Sequence, residues 1–127
     1  MKINHIALYV CDLEKIKLFY EKYFNARANK MYHNIKTGLK TYFLEFDNGS
    51  RLEIMSKKDI KIISKELNNT GYIHVAFSVG SKDNVNKITK QLENDGYKII
   101  SQPRITGDGY YESCILDPEN NQIEIVE

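Results

Sequence analysis

The stretch "KINHIALYV" at residues 2–10 is echoed by "GYIHVAFSV" at residues 71–79. In both stretches, apolar and β-prone residues alternate around a single histidine, which is typical of a β-strand. Each stretch is followed by a helical pattern and then by three further strand patterns. A repeat of this length is stronger evidence for the fold than any single motif. The sequence therefore predicts an α+β fold made of two tandem βαβββ modules.

The chain has 127 residues, which suits a single domain spanning 1–127. Within it we expect a first module at 1–56, a Lys-rich connector at 57–71 with a short helix around 60–67, and a second module at 72–127. A module with one helix and a four-stranded sheet is too small to bury both sheet faces. We therefore expect the modules to pair around a cleft, with the helices outside.

The helices are marked by their spacing and their ends. Asp12 is a predicted N-cap, and apolar residues recur at helical intervals to about Asn25. The second helix is predicted over 81–96, with Gly96 as its terminator. A loop is expected at 103–109. The remaining predicted strands are 28–33, 40–46 and 51–55 in the first module, and 97–101, 110–116 and 122–127 in the second.

Charge and composition exclude several classes of partner. With 18 basic and 17 acidic residues, the chain has no basic field for nucleic acid. No apolar run approaches the roughly 20 residues that span a bilayer, and the N-terminus lacks a signal-peptide pattern. Two cysteines do not make a disulfide scaffold. A cytoplasmic protein without a membrane or nucleic-acid partner is expected.

Strand geometry singles out four residues, because alternate side chains of a strand point to opposite faces. Four predicted strands each place one possible metal ligand on the face turned away from the helix: His5, Glu53, His74 and Glu124. Two imidazoles and two carboxylates suit one divalent transition metal ion such as Ni, Zn, Co or Mn. Ala7 and Ala76, two residues beyond each histidine, leave room for a ligand.

A single histidine or glutamate on the polar face of a strand is usually just solvated. The four residues together are different from a single solvated residue, because the same residue types recur at equivalent places in the two repeats. His74 follows His5 by 69 residues, and Glu124 follows Glu53 by 71. A solvated face does not require such a repeat, so the spacing favours a metal site.

The chain resembles the vicinal oxygen chelate superfamily, which includes glyoxalase I, methylmalonyl-CoA epimerase, fosfomycin-resistance enzymes, extradiol dioxygenases and bleomycin-binding proteins. The resemblance spans nearly the whole chain, and its matching phrases are "NHIALYVCDLEKIKLFYEKYF", "RLEIM", "GYIHVAFSV" and "LDPENNQIEIVE". It implies paired βαβββ modules and metal ligands at the four positions named above. A His, Glu, His, Glu set is similar to the glyoxalase I pattern.

The resemblance implies the glyoxalase I reaction, in which a hemithioacetal of methylglyoxal and a thiol is isomerised to a 2-hydroxyacyl thioester. A metal-stabilised enediolate would form when a carboxylate beside the metal takes the C–H proton. Glu124 is the predicted base, with Glu53 its partner on the opposite side. Glyoxalase I enzymes commonly carry Arg four residues after the first histidine, where this chain has Tyr9, so the thiol stays open.

Five further residues are candidates for substrate binding. Tyr9, Met55 and Ser78 lie on the same strand faces as the proposed ligands, where either a pocket lining or ordinary packing fits. Arg104 and Tyr110 belong to the segment "RITGDGYYES", and residues 103–111 fit either a flap over the site or a plain hairpin loop.

Other functions remain compatible with the sequence. One is a metal-dependent epimerase or thiol transferase of the same superfamily, and another is a metal-free drug-binding resistance protein. The resemblance implies a small-molecule substrate, possibly a thiol adduct, and a homodimer. Because the connector is long, one chain or two chains are both able to supply the four ligands.

Overall fold

A computed structural model describes residues 1–65 and 70–127. The chain divides into two compact units, Met1–Ile63 and Ser64–Glu127, and the division falls inside the predicted connector. The described residues of each unit form one helix and one mainly antiparallel sheet. The predicted α+β class and the two βαβββ modules are confirmed. Among the described residues, no helix combines the length and apolar content needed to cross a bilayer.

The first unit is built around α1 and a sheet. Its elements are β1 (Ile6–Tyr9), α1 (Leu13–Phe24), β2 (Arg27–Ala28), β3 (Tyr32–His33), β4 (Lys40–Glu45) and β5 (Arg51–Ser56). The strand order is β1-β5-β4-β2, and β3 also pairs with β4. Strand β1 runs parallel to β5, whereas the other pairings are antiparallel.

The second unit repeats this plan. Its elements are β6 (His74–Ser78), α2 (Lys82–Asn94), β7 (Ile99–Ile105), β8 (Tyr111–Leu116) and β9 (Gln122–Val126). The strand order is β6-β9-β8-β7, and β6 runs parallel to β9. In both units the first strand therefore lies beside the last strand, at one end of the strand order.

Each core lies between the helix and one face of its own sheet. Helix α1 buries the apolar side predicted from its spacing, including Ile16 and Tyr20, against β4 and β5. Leu52 and Ile54 of β5 and Ile123 and Ile125 of β9 are buried, whereas the residues that alternate with them are half-exposed. The alternation predicted for these two strands is confirmed, and it leaves Glu53 and Glu124 on the face opposite the core.

The helix ends also agree with the sequence. The Asp12 side chain accepts a hydrogen bond from the Lys15 N–H at 3.0 Å, and Ser81 caps α2 in the same way from the Asn84 N–H. Gly96 follows the C-cap of α2 with φ of 86°, a left-handed conformation that favours glycine.

Three local predictions were wrong or incomplete. The strand at 28–33 is two short strands, β2 and β3. Strand β7 continues through Pro103, where a loop was expected, because β7 ends the strand order and a proline there removes no interior ladder bond. Register shifts in β7 accommodate the proline. Residues 60–65 of the connector are not helical, and the rest of the predicted helix (66–67) lies outside the described residues.

We expect Asp12→Ala to lower the free energy of unfolding by about 1 kcal/mol, because the first turn of α1 loses its side-chain acceptor. Urea denaturation followed by circular dichroism measures the change. Asp12→Ser is the matched control, since it keeps a capping oxygen and should retain most of the stability. Equal losses for both variants would show that the cap hydrogen bond is not the cause.

Candidate functional site

The first unit brings one histidine and one glutamate together. His5 immediately precedes β1, and its Nε2 lies 3.5 Å from Oε2 of Glu53 on β5. In the parallel ladder Ala7 stands beside Glu53, two residues after the histidine. The small alanine side chain leaves the space over the ladder to the imidazole and the carboxylate.

The second unit reproduces this arrangement. Nε2 of His74 on β6 lies 3.1 Å from Oε2 of Glu124 on β9, and Ala76 stands beside Glu124 in the parallel ladder. The equivalence predicted from the sequence repeat therefore extends to the atoms: in each unit a histidine Nε2 faces a glutamate Oε2. We call these the first and second His–Glu pairs.

The two pairs are similarly exposed. The histidine side chains keep 36% and 34% of their accessible surface and the glutamate side chains 16% and 21%, for the first and second pairs respectively. A small solute therefore has access to the imidazole of each pair. Each carboxylate is largely withdrawn from water, which strengthens its attraction for a cation.

Different neighbours surround the two glutamates. The Thr41 hydroxyl, which is buried, donates to Oε1 of Glu53 at 3.0 Å. This bond occupies one carboxylate oxygen and leaves the other toward His5. Thr41 pairs with Met55, two residues beyond Glu53 on β5.

The equivalent position in the second unit holds Glu112, which pairs with Val126, two residues beyond Glu124. The pKa of Glu112 is raised, first because burial disfavours its charged form and then because Glu124 repels it. Arg104, with Nη1 3.8 Å from the Glu112 carboxylate, opposes the shift. The first glutamate thus accepts a hydrogen bond from a hydroxyl, whereas the second lies within electrostatic reach of another carboxyl group.

The donor atoms of each pair suit a transition metal. Neighbouring donors at about 2.1 Å from one ion lie roughly 3 to 3.5 Å apart, which matches the two Nε2–Oε2 separations. Within the described residues, no group of three or more His, Cys, Asp or Glu side chains is placed to hold an ion. Each unit by itself therefore supplies two donors, and the prediction that all four bind one ion stays a prediction.

Cys114 lies opposite Glu124 in the antiparallel ladder but is a poor ligand or nucleophile. Its side chain is buried, and burial raises the pKa of the thiol to about 11. A thiol with that pKa stays protonated at neutral pH, whereas metal binding and nucleophilic attack need the thiolate. The Cys114 Sγ instead lies 3.8 Å from Oε1 of Gln122.

Two predicted substrate-binding residues extend the face of the first pair. Tyr9 and Met55 are neighbours in the ladder, two residues beyond Ala7 and Glu53 respectively. Tyr9 is 49% exposed, and the Lys57 ammonium lies 5.5 Å from its ring centre. An exposed aromatic ring next to a cation offers a surface for a substrate, and their role stays a prediction.

The other three predicted residues lie in the second unit. Ser78 and Arg104 belong to one row across the sheet, which runs from Ser78 through Val126 and Glu112 to Arg104. The Ser78 hydroxyl donates to the Glu127 carbonyl at 3.3 Å. Tyr110 is exposed and lies outside the strands, at the end of the turn that joins β7 to β8. Substrate binding by these residues stays a prediction.

The segment 103–111, which the sequence left open as either a flap or a plain hairpin loop, is partly strand. Its first three residues belong to β7, and Tyr111 begins β8. The intervening turn is tied by hydrogen bonds from the Thr106 N–H to the Tyr110 carbonyl at 2.8 Å and from the Tyr110 N–H to the Thr106 hydroxyl at 3.0 Å. These bonds favour the plain hairpin that the sequence also allowed.

Sequence reasoning missed the residues that hold the pairs in place. Thr41 and Glu112 occupy equivalent ladder positions, which a register-by-register alignment of the two repeats would have shown. Asn4 immediately precedes His5, and its side chain contacts the imidazole. Phe43 lies beside Glu53 in the ladder, and its ring meets the His5 ring edge-on at 5.2 Å.

The architecture and the repeated pairs define a class of protein: two βαβββ modules, each with a histidine on its first strand or just before it and a glutamate on its last. The family model of the Glyoxalase/Bleomycin resistance protein/Dioxygenase superfamily matches residues 2–125. The chain belongs to this superfamily, the vicinal oxygen chelate family that the sequence resembles. No curated protein matches the sequence.

Solved structures confirm the fold. A glyoxalase family protein from Enterococcus faecalis has a TM-score of 0.80 at 20% identity, over 99% of this chain and 97% of that one. A glyoxalase I variant from Zea mays has a TM-score of 0.80 at 19% identity, with 98% of this chain matching 44% of that one. The fosfomycin resistance protein FosX from Listeria monocytogenes has a TM-score of 0.71 at 21% identity, over 98% and 89%.

We expect the contribution of Glu112 to the stability of the metal-free protein to fall as pH rises from about 4.5 through the raised pKa of this carboxyl. Below the unfolded-state pKa the carboxyl is protonated in both states. Above it, the folded state resists ionisation because Glu124 and burial oppose the charge, so folding becomes less favourable. Arg104, Asp108 and His74 also act on this group.

Urea midpoints measured between pH 4 and 7.5 test this expectation, with Glu112→Gln as the comparison. The amide introduced by this substitution does not ionise, so the variant should gain stability relative to the parent as pH rises. Parallel pH profiles for the two proteins would contradict it.

Proposed function

We propose that this protein is a metal-dependent enzyme of glyoxalase I type that acts on a hemithioacetal or a related substrate with two adjacent oxygens. The observation that carries the proposal is the repeat of one His–Glu pair in both units, with Nε2 facing Oε2 at 3.5 and 3.1 Å. Membership of the superfamily is compatible with it, since the superfamily model covers nearly the whole chain.

His5, Glu53, His74 and Glu124 would hold one divalent transition metal ion, either Ni, Zn, Co or Mn. The pairs are contributed by one chain or by two, and we propose that the enzyme works as a cytoplasmic homodimer. When bound, the ion supplies positive charge that polarises substrate oxygens and favours loss of the neighbouring C–H proton. Nitrogen and carboxylate donors in equal number fit these metals.

The protein's own part in the reaction is to move a proton. Glu124 would accept the proton from the carbon next to the carbonyl and return it to the neighbouring carbon, so the conversion is an isomerisation without net oxidation. Its surroundings support this role over Glu53. The Thr41 hydroxyl holds Glu53 in place, which suits a fixed ligand, whereas the neighbour at the equivalent ladder position of Glu124 is the Glu112 carboxyl, which offers no such hydroxyl.

The substrate would lie along the strand faces that continue from each pair. In the first unit these faces carry Tyr9 and Met55, and in the second they carry Ser78 and Arg104, with Tyr110 nearby in sequence. An aromatic ring and a thioether suit an apolar substituent. A guanidinium suits a carboxylate or another anionic group of the thiol.

We expect His5→Ala and His74→Ala each to weaken binding of zinc or nickel by more than about 100-fold, because each removes one proposed ligand. Isothermal titration of metal-free protein measures the affinity, and metal analysis of protein purified without chelator gives the stoichiometry. His33→Ala is the matched control, since His33 is exposed on β3 and paired with Lys40.

Equal affinity in all three variants would refute the ligand assignment. Absence of any bound transition metal, with tight binding of an apolar drug, would identify the protein as a metal-free binding member of the superfamily instead.

We expect Glu124→Gln to reduce turnover by roughly 100-fold to 10,000-fold, because the amide has no lone pair basic enough to take the C–H proton. The assay is conversion of methylglyoxal with a panel of thiols in the presence of Ni, Co, Zn or Mn. Glu45→Gln, at an exposed position on β4, is the control. Unchanged turnover in Glu124→Gln with an unchanged circular dichroism spectrum would remove Glu124 as the base.

A further inference from the structure

The side chain of Asn4 connects two residues of the first unit. Its Oδ1 accepts a hydrogen bond from Nη2 of Arg51 and lies 2.8 Å from Nδ1 of His5. Arg51 is the residue two before Glu53 on β5. One amide oxygen therefore contacts both a guanidinium and the imidazole of the first His–Glu pair.

The guanidinium decides which way this amide points. Arginine carries donors and no acceptor, so the Asn4 atom that faces it must be the carbonyl oxygen and not the amide nitrogen. The same oxygen faces His5 Nδ1, and an oxygen acceptor at 2.8 Å requires a proton on that nitrogen. In the neutral imidazole the proton then lies on Nδ1, and Nε2 carries the lone pair.

The Phe43 ring contacts both Arg51 and His5, the two residues that contact the Asn4 oxygen. The Arg51 guanidinium carbon lies 5.2 Å from the centre of the Phe43 ring, and the His5 ring meets the same ring edge-on at 5.2 Å. Both contacts are of the kind that stabilises a cation or an aromatic edge at a ring. The two residues that contact the Asn4 oxygen are therefore positioned by one side chain of β4.

The residue before the histidine is different in the second unit. Ile73 precedes His74, and its side chain has no hydrogen-bond acceptor. The ladder partner of His74 is Gln122, whose Oε1 lies 3.8 Å from Cys114 Sγ. The two otherwise repeated pairs thus differ in what lies next to the imidazole.

We propose that Asn4, oriented by Arg51, is a positioning residue that fixes His5 in its Nδ1–H tautomer and so prepares Nε2 as a ligand before any cation binds. Two lone-pair atoms, His5 Nε2 and Glu53 Oε2, then face each other at 3.5 Å, an arrangement that a cation stabilises. The position before His74 holds Ile73, which offers no such acceptor. The ligand role rests on the proposed function, whereas the tautomer does not.

The test is a long-range ¹H–¹⁵N correlation spectrum of the histidine rings in metal-free, ¹⁵N-labelled protein at about pH 9, where imidazoles are neutral. We expect the His5 ring to show the Nδ1–H pattern. In Asn4→Ala it should revert toward the Nε2–H form that free imidazoles favour, with no change at His74. Asn4→Asp keeps an oxygen acceptor and should keep the Nδ1–H form.

Zinc titration of the same proteins gives the second readout. Asn4→Ala should weaken binding by about 10- to 100-fold, and Ile73→Ala should leave it unchanged. An Nε2–H pattern at His5 in the parent protein, or no tautomer change in Asn4→Ala, would overturn the proposal. The predicted tautomers without zinc binding in any variant would uphold the role of Asn4 and refute the metal-dependent function.

Discussion

The candidate site depends on the parallel pairing of the first and last strands in each unit. Because β1 lies beside β5 and β6 beside β9, Ala7 stands next to Glu53 and Ala76 next to Glu124. A histidine two residues before each alanine then lies on the same face as the glutamate. Side chains alternate along a strand, so a slip of one residue would turn the carboxylate toward the core.

Much of the fold and of the candidate site could be predicted from the sequence, because the patterns that indicate them are local or repeated. The alternation around His5 and His74, the Asp12 cap and the helical spacing each need only neighbouring residues, and the structure confirms the elements they predict. The continuation of β7 through Pro103 could not be predicted from the sequence, because it depends on β7 lying at the end of the strand order, which is a tertiary property. The hydrogen bond from Thr41 to Glu53 could not be predicted either, because it depends on the register between β4 and β5, which alternation alone does not fix.

The two His–Glu pairs share their donors but differ in what supports them. In the first unit a hydroxyl holds the glutamate and an amide oxygen contacts the imidazole. In the second unit the position equivalent to Thr41 carries Glu112, a carboxyl whose pKa is raised by burial and by Glu124. A carboxylate held by a hydroxyl suits a fixed ligand, which agrees with the proposal that Glu124 and not Glu53 is the base. Duplication thus supplies two pairs with the same donors, and the residues around them differ in hydrogen bonding and charge.

Under the proposed function, substrate choice would arise beside the pairs, since a fold shared by proteins with different activities does not select a substrate. The row that follows the first pair across its sheet is Tyr9, Met55, Thr41 and Tyr32, which carries no formal charge. The corresponding row in the second unit is Ser78, Val126, Glu112 and Arg104, which contains a carboxyl and a guanidinium. The two rows occupy equivalent register positions in the two units. Their difference in charge therefore comes from side chains that the repeat does not share. Under the proposed function, substitutions that exchange charge between these rows would change specificity, and substitutions at the pairs would change the chemistry.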